Sequence, residues 1–158
     1  MKFFASTLAV LSLSLSSAVA APVEAASDAA ASTSISVSYD PKYDVGGSSL
    51  TTVACSDGVY GLIPRGYSTF GSLPSFPRIG GAPTIPGWNS PNCGKCYSLH
   101  YKAGPVDKTI YMTAVDAAPG GFNLGVNAMN ELTNGQAVQL GRVQADYAEV
   151  DPSLCGFK

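Results

Sequence analysis

The sequence predicts a mostly β, loop-rich exported domain stapled by two disulfides, and three observations carry that expectation. Cys55, Cys93, Cys96 and Cys155 all lie downstream of an export signal, and an even count in a small exported chain reads as a disulfide framework. Gly, Pro, Ser, Thr and Tyr are plentiful, while long runs of helix formers are missing. Short apolar–polar alternations recur between turn signals.

The export signal comes first. Lys2 supplies a positive end, residues 3–15 are apolar apart from small hydroxyl residues, and Ala18-Val19-Ala20 places small residues where a signal peptidase reads them. Cleavage is therefore expected after Ala20. The apolar run falls short of the roughly 20 residues a membrane span needs, so no membrane anchor is expected and the protein reads as secreted and extracellular. Residues 21–34 are nearly all Ala, Ser and small polar residues, with too little apolar surface to offset their ordering entropy. They read as a flexible leader or pro-segment, and the folded domain as residues 35–158, enough for one core. Nine Lys or Arg stand against eleven Asp or Glu, with no basic block. That balance argues against a nucleic-acid or polybasic membrane partner.

Residues 35–39, Ile-Ser-Val-Ser-Tyr, alternate and read as a first strand stopped by Asp40-Pro41. Residues 50–54 form a short β-prone run entering Cys55. Residues 56–92 lack periodicity and are punctuated by Gly and Pro, so they read as a long looped segment. Residues 97–102 and 108–115 alternate as two strands, with Gly104-Pro105 between them as the turn of a hairpin. Ala117 to Gly121 must turn. Asn123 is the expected cap of a short helix over residues 124–132, which Asn134-Gly135 ends. Residues 138–143 and 143–150 read as the last strands. The sum is about six strands and one short helix.

Cys93-Gly94-Lys95-Cys96 has the spacing of a redox pair, but residues 97–101 alternate as strand rather than opening the helix that such chemistry needs. A zinc site would need a second close ligand pair, so no metal and no cofactor are expected. Of three cysteine pairings, Cys55–Cys93 with Cys96–Cys155 is favoured, closing loops of about 39 and 60 residues worth about 4 kcal/mol each on a chain-entropy model. Cys93–Cys96 with Cys55–Cys155 would leave the Pro-rich loop unpinned. His100, the single histidine, shares a solvated strand face with Ser98 and Lys102 and suggests no catalytic triad.

Asp116 ends an apolar strand and opens a Gly-rich turn. It reads either as a ligand-contacting or acid–base carboxylate, or as a residue that bonds its own turn. Asp57, Asp40 and Asp146 are the available second acids, since glycosidic hydrolysis generally uses two carboxyl groups. Trp88, in a Pro-Gly loop, is a candidate ring for stacking sugars, or else a plug over the core.

These motifs converge. SVSYDPKYD, TTVACSDGVYGL, FPRIGGAPTIPGWNSPNCGKCY, AVDAAPGGFNL, AMNELTNGQAVQLGRV and the final Cys155 together resemble the cerato-platanin family of small secreted fungal proteins, in order, from about Val37 to Cys155. The resemblance implies a six-stranded double-psi β-barrel with one or two short helices, and it supports the favoured cysteine pairing. It implies a secreted, cell-wall-associated protein whose partners are chitin or N-acetylglucosamine oligomers and cellulose. It further implies expansin-like loosening without hydrolysis, self-assembly at interfaces, and elicitor or virulence activity through a host defence receptor. Asp116 matches the family's shared acidic residue, and Asn123 and Arg142 match polar residues beside it. Asp57 and Trp88 complete the candidate carbohydrate contacts. The second acid of related endoglucanases and the His-Phe-Asp triplet of expansins have no counterpart, so no catalytic residue is assigned. Two rival readings stand beside this one: a weak glycoside hydrolase using Asp116, and a surface-active structural coat protein.

Overall fold

The computed structural model describes residues 33–158. The expected signal at 1–20 and most of the expected leader at 21–34 lie outside the described residues. Six strands form a closed barrel: β1 Thr33–Tyr39, β2 Ile79–Ala82, β3 Cys96–Ala103, β4 Val106–Ala117, β5 Phe122–Leu124 and β6 Arg142–Val150. Their order around the barrel is β1-β5-β2-β4-β3-β6. β1 runs parallel to β5 and β2 parallel to β4, and the other four pairings are antiparallel. Two short helices follow β5, α1 Val126–Thr133 and α2 Ala137–Leu140. This is the fold class that the sequence predicts, with two of its strands in places the sequence does not reveal.

Period-2 segments behave as expected. β3 buries Tyr97, Leu99 and Tyr101 and turns Ser98, His100 and Lys102 outward. The hairpin closes where expected, with Ala103 opposite Val106. β1 begins at Thr33, two residues before the expected domain start, because Thr33 and Ser34 pair with Tyr147 and Asp146 of β6. Inside, Phe122 packs edge-on against Tyr97 at 5.3 Å and Tyr147 at 5.2 Å between ring centroids. Such pairs add about 0.5–1.5 kcal/mol each beyond area burial.

Four local expectations are corrected. Residues 50–54 are not a strand: Leu50–Thr52 is a single 3-10 turn whose first turn is capped by the Ser49 hydroxyl, which accepts from Thr51 N–H at 3.2 Å. Residues 138–143 are not a strand either, since α2 occupies the first half of that run and Gly141, at φ 65°, ends it. The looped segment 56–92 contains β2, every residue of which is buried. Asn123 does not cap a helix, because it lies in β5. The cap residue of α1 is Gly125, and Asp44 supplies the missing carboxylate from another segment, accepting from Val126 N–H at 2.6 Å and Asn127 N–H at 3.1 Å. Asn134, at φ 55°, ends α1 as expected.

The disulfides join Cys55 to Cys93 and Cys96 to Cys155 across 38 and 59 residues. All four cysteines are buried. Reduction is expected to lower the melting temperature more than a typical single core substitution does, because each bridge contributes about 2–4 kcal/mol. Equal midpoints with and without reductant would contradict this, as would a non-reduced peptide map joining Cys93 to Cys96. Asp44→Ala should cost about 1 kcal/mol through loss of the α1 cap, read as a shift in the urea midpoint.

Candidate functional site

A polar row crosses the barrel wall. Arg142 on β6 pairs with Ser38 on β1, Ser38 with Asn123 on β5, Asn123 with Gly81 on β2, and Gly81 with Asp116 on β4. Residues directly opposite one another on neighbouring strands share a face. The three positions matched by family resemblance therefore stand in one line with Ser38 and Gly81. At about 4.8 Å per strand step the row spans roughly 19 Å along the curved sheet. Its flanking residues, Val37, Phe122, Leu124 and Val143, turn the other way and are buried.

Asp116 joins the row through a β-bulge. Gly80 pairs with Ala114 but Gly81 pairs with Asp116, so Val115 is an extra residue on β4. The bulge breaks the alternation: Ala114 and Val115 are both fully buried, and Asp116 is re-aimed onto the face of Asn123. The Val115 carbonyl accepts from Cys55 N–H at 3.0 Å. Asp116 is then surrounded by donors. Its Oδ1 accepts from Ala54 N–H at 3.0 Å and from its neighbour Ala117 N–H at 2.9 Å. Its Oδ2 accepts from the Tyr43 hydroxyl at 3.0 Å and Lys42 Nζ at 3.3 Å. A carboxylate offers about four acceptor positions, so these four donors fill them.

The other end of the row opens into a shallow groove of about 170 Å³, walled by Ser38, Asn123, Arg142 and the loop from Ala118 to Gly121. Ser38 Oγ donates to Asn123 Oδ1 at 3.2 Å, and Arg142 Nη1 donates to Ser36 Oγ at 2.6 Å. The Asn123 amide N–H groups make no hydrogen bond among the described residues. Gly121, at φ 135°, lets the loop lie against β1, where any β-carbon would run into the Ser36 carbonyl. Asp116 itself is not part of the groove wall.

The remaining candidates lie elsewhere. Asp57 and Trp88 meet each other, the indole N–H donating to Asp57 Oδ1 at 2.6 Å, but neither borders the groove. That bond, followed by one from the Ser56 hydroxyl, holds the Asp57 carboxyl below the usual range. Asp40 approaches Asp116 through Lys42, whose ammonium lies 3.9 Å from Asp40 Oδ2. Asp146 sits opposite His100 on the far side of β6, and His100 Nε2 lies 2.8 Å from Asp107 Oδ1 on the exposed hairpin. No cluster of three or more His, Cys, Asp or Glu among the described residues is arranged to hold a metal ion. Sequence reasoning missed Lys42 and Tyr43, which sit on the 3-10 turn Pro41–Asp44. Asp40 before Pro41 is a cap signal that points to this turn, and Asp40 does accept from Lys42 N–H at 2.9 Å.

Comparison with known proteins agrees with this fold. A family model described as cerato-platanin matches residues 35–157. The chain is 58% identical to Allergen Asp f 15 of Aspergillus fumigatus over 152 residues, covering 96% of each. The crystal structure of cerato-platanin 1 from M. perniciosa superposes with a TM-score of 0.74 at 50% identity, covering 77% of this chain and 98% of that one. The solution structure of the fungal elicitor Cerato-Platanin gives a TM-score of 0.68 at 40% identity, with 77% and 96% coverage.

Tyr43 is buried against Asp116, and its phenol is held far above the ordinary value of 10.0, first by burial and then by the Asp116 charge and hydrogen bond. The folded state keeps this proton at a pH where the unfolded chain releases it. The resulting stability is full below about pH 10 and is lost as pH rises above it. The melting temperature of the wild type should fall from about pH 10 upward, and Tyr43→Phe should flatten part of that slope. An unchanged alkaline slope in the variant would contradict the linkage.

Proposed function

This chain belongs to the cerato-platanin family, and we propose that it is a secreted carbohydrate-binding protein that loosens wall polysaccharide without hydrolysing it. The polar row across five strands carries the proposal. A sugar polymer laid along it meets Arg142, Ser38 and Asn123 in turn, then the exposed Lys42 ammonium that Asp116 holds in place. Each supplies a hydrogen bond that a polysaccharide chain otherwise makes to its neighbour, so exchange of partners loosens the wall with no covalent step. Arg142 and the free amide hydrogens of Asn123 are donors, which suits the acetamido carbonyl of N-acetylglucosamine oligomers. Cellulose, which lacks that acceptor, takes second place. Export to the wall and action as an elicitor on a host receptor complete the proposed role, supported by the solved relative titled a fungal elicitor. Assembly at interfaces belongs to the same proposal.

One observation bears on the hydrolase reading. Lys42 brings the Asp40 and Asp116 carboxylates to one ammonium, close enough to consider a catalytic pair. Asp116, however, already accepts from four donors and has no position left to protonate a leaving oxygen. The open groove also excludes little water, whereas bond cleavage depends on an enclosed, preorganised site.

Titration of 15N-labelled protein with N-acetylglucosamine oligomers tests the proposal. Amides of residues 38, 118, 120–123 and 142 should shift, and Arg142→Ala should weaken binding roughly ten- to a hundredfold. Asp116→Ala should weaken binding and also lower the melting temperature, because it strands the Tyr43 hydroxyl and Ala54 N–H. Reducing ends should not accumulate with either protein. Unchanged affinity in Arg142→Ala would overturn the groove assignment, and reducing ends from the wild type that vanish in Asp116→Asn would install the hydrolase.

A further inference from the structure

A second feature stands apart from the groove. Trp88 is 63% exposed, yet its ring is fixed. The indole edge is tied to Asp57 Oδ1 by the short bond already described, a charge-assisted contact. The two loops that carry these residues are locked together at two more points. Tyr60 N–H donates to Asn89 Oδ1 at 3.0 Å, and the Cys55–Cys93 bridge closes the base. Gly58, at φ 81°, passes so near that a β-carbon there would overlap the Asn89 amide. A side chain this exposed and this constrained loses little freedom when a ligand settles on its face.

The surroundings say what kind of ligand fits. Both side-chain donors, the indole and the Ser56 hydroxyl, bond Asp57 Oδ1. Oδ2, on the carboxylate that holds the ring, accepts from no described residue and is a free anionic acceptor. Covering that carboxylate with apolar protein surface would strand a charge. A phosphate or nucleic acid would meet like charge. A pyranose satisfies both demands, since its C–H face is apolar and its edge carries hydroxyl donors.

We propose that Trp88 and Asp57 form a second carbohydrate subsite, which stacks one pyranose ring on the indole and takes a hydroxyl hydrogen on Asp57 Oδ2. The ligand class rests on the function proposed above, while the subsite shares no residue with the groove. Two contacts on one rigid body favour an extended or insoluble polymer over a short oligomer, because the second contact forms at high effective concentration.

Trp88 is the single tryptophan, so indole fluorescence and the indole N–H resonance report on this subsite alone. The protein is titrated with N-acetylglucosamine hexamer and with cellohexaose, both as wild type and as the double variant Asn123→Ala, Arg142→Ala. The indole resonance should shift and acrylamide quenching should fall in both proteins. Trp88→Ala should be retained roughly three- to tenfold less well on insoluble chitin while the groove amides still shift. Asp57→Asn, which keeps the ring, should also reduce retention. Groove shifts that saturate with the indole unmoved would overturn the subsite and leave the groove standing. An indole response with a silent groove would support the subsite and overturn the groove. An indole response that disappears in the double variant would show that the subsite is not separate, and that outcome too would overturn the proposal.

Discussion

The barrel closes because β2 carries no side chains where it passes between its neighbours. A β-carbon on Gly80 would overlap the Asn123 carbonyl, and one on Gly81 would overlap the Ala118 side chain. Only backbone fits there, so β4 and β5 approach β2 from both sides and complete the wall. The same gap shapes the site. Asp116 and Asn123 face outward two strand steps apart, and the strand between them contributes only the Gly81 backbone to that row. Glycine in a strand interior costs about 0.5–1 kcal/mol relative to alanine through chain entropy. The two long disulfides act on the same unfolded ensemble in the opposite direction, which makes a glycine-rich wall tolerable in so small a domain.

A second consequence follows from the bulge at Val115. The extra residue leaves one carbonyl free, and Cys55 N–H takes it, while Ala54 N–H bonds the re-aimed Asp116. Residues 54 and 55 are thus fixed to the end of the polar row by two hydrogen bonds. From there the chain runs directly through Cys55 to Asp57 and its partner Trp88. The groove wall and the aromatic loop therefore hang from one short segment, although no side chain is shared between them. The strands carry the polar row, and the loops carry the Asp57–Trp88 pair.

The elements most legible in the sequence were those whose alternation survives burial on one face: 35–39, 97–102, 108–115 and 143–150 all appear as strands. The cysteine pairing was legible too, because only one of the pairings weighed pins the Pro-rich segment. β2 was not legible, since Ile-Gly-Gly-Ala has no alternation and glycine argues against a strand. β5 is three residues long, too short for any period to show. At 50–54 and 138–143 the β-prone composition lost to local backbone bonding, through the Ser49 cap and the Gly141 stop. The positions of Asp116, Asn123 and Arg142 came from family resemblance rather than pattern. Their alignment in one row depends on register among five strands, which no local window contains. The Asp57–Trp88 contact spans 31 residues and the Asp44 cap on α1 spans 82. Contacts of that range leave no trace in periodicity.

The shape of the site bears on what it can do. A row of separate donors and acceptors on an open strip gains little from any one sugar, because each hydrogen bond replaces one to water. The gain accumulates only with a ligand long enough to meet several row positions together, and the cost of fixing that ligand is least when it is already extended. An open strip therefore selects for stiff polymer over free sugar by length rather than by tight enclosure. On the proposed reading the same openness disfavours hydrolysis, since charge developing at a glycosidic bond would be stabilised by mobile water rather than by fixed dipoles. Binding that is weak at each position but repeated along a polymer lets contacts break one at a time. On the proposed reading, such a protein moves among polysaccharide chains without holding any of them permanently.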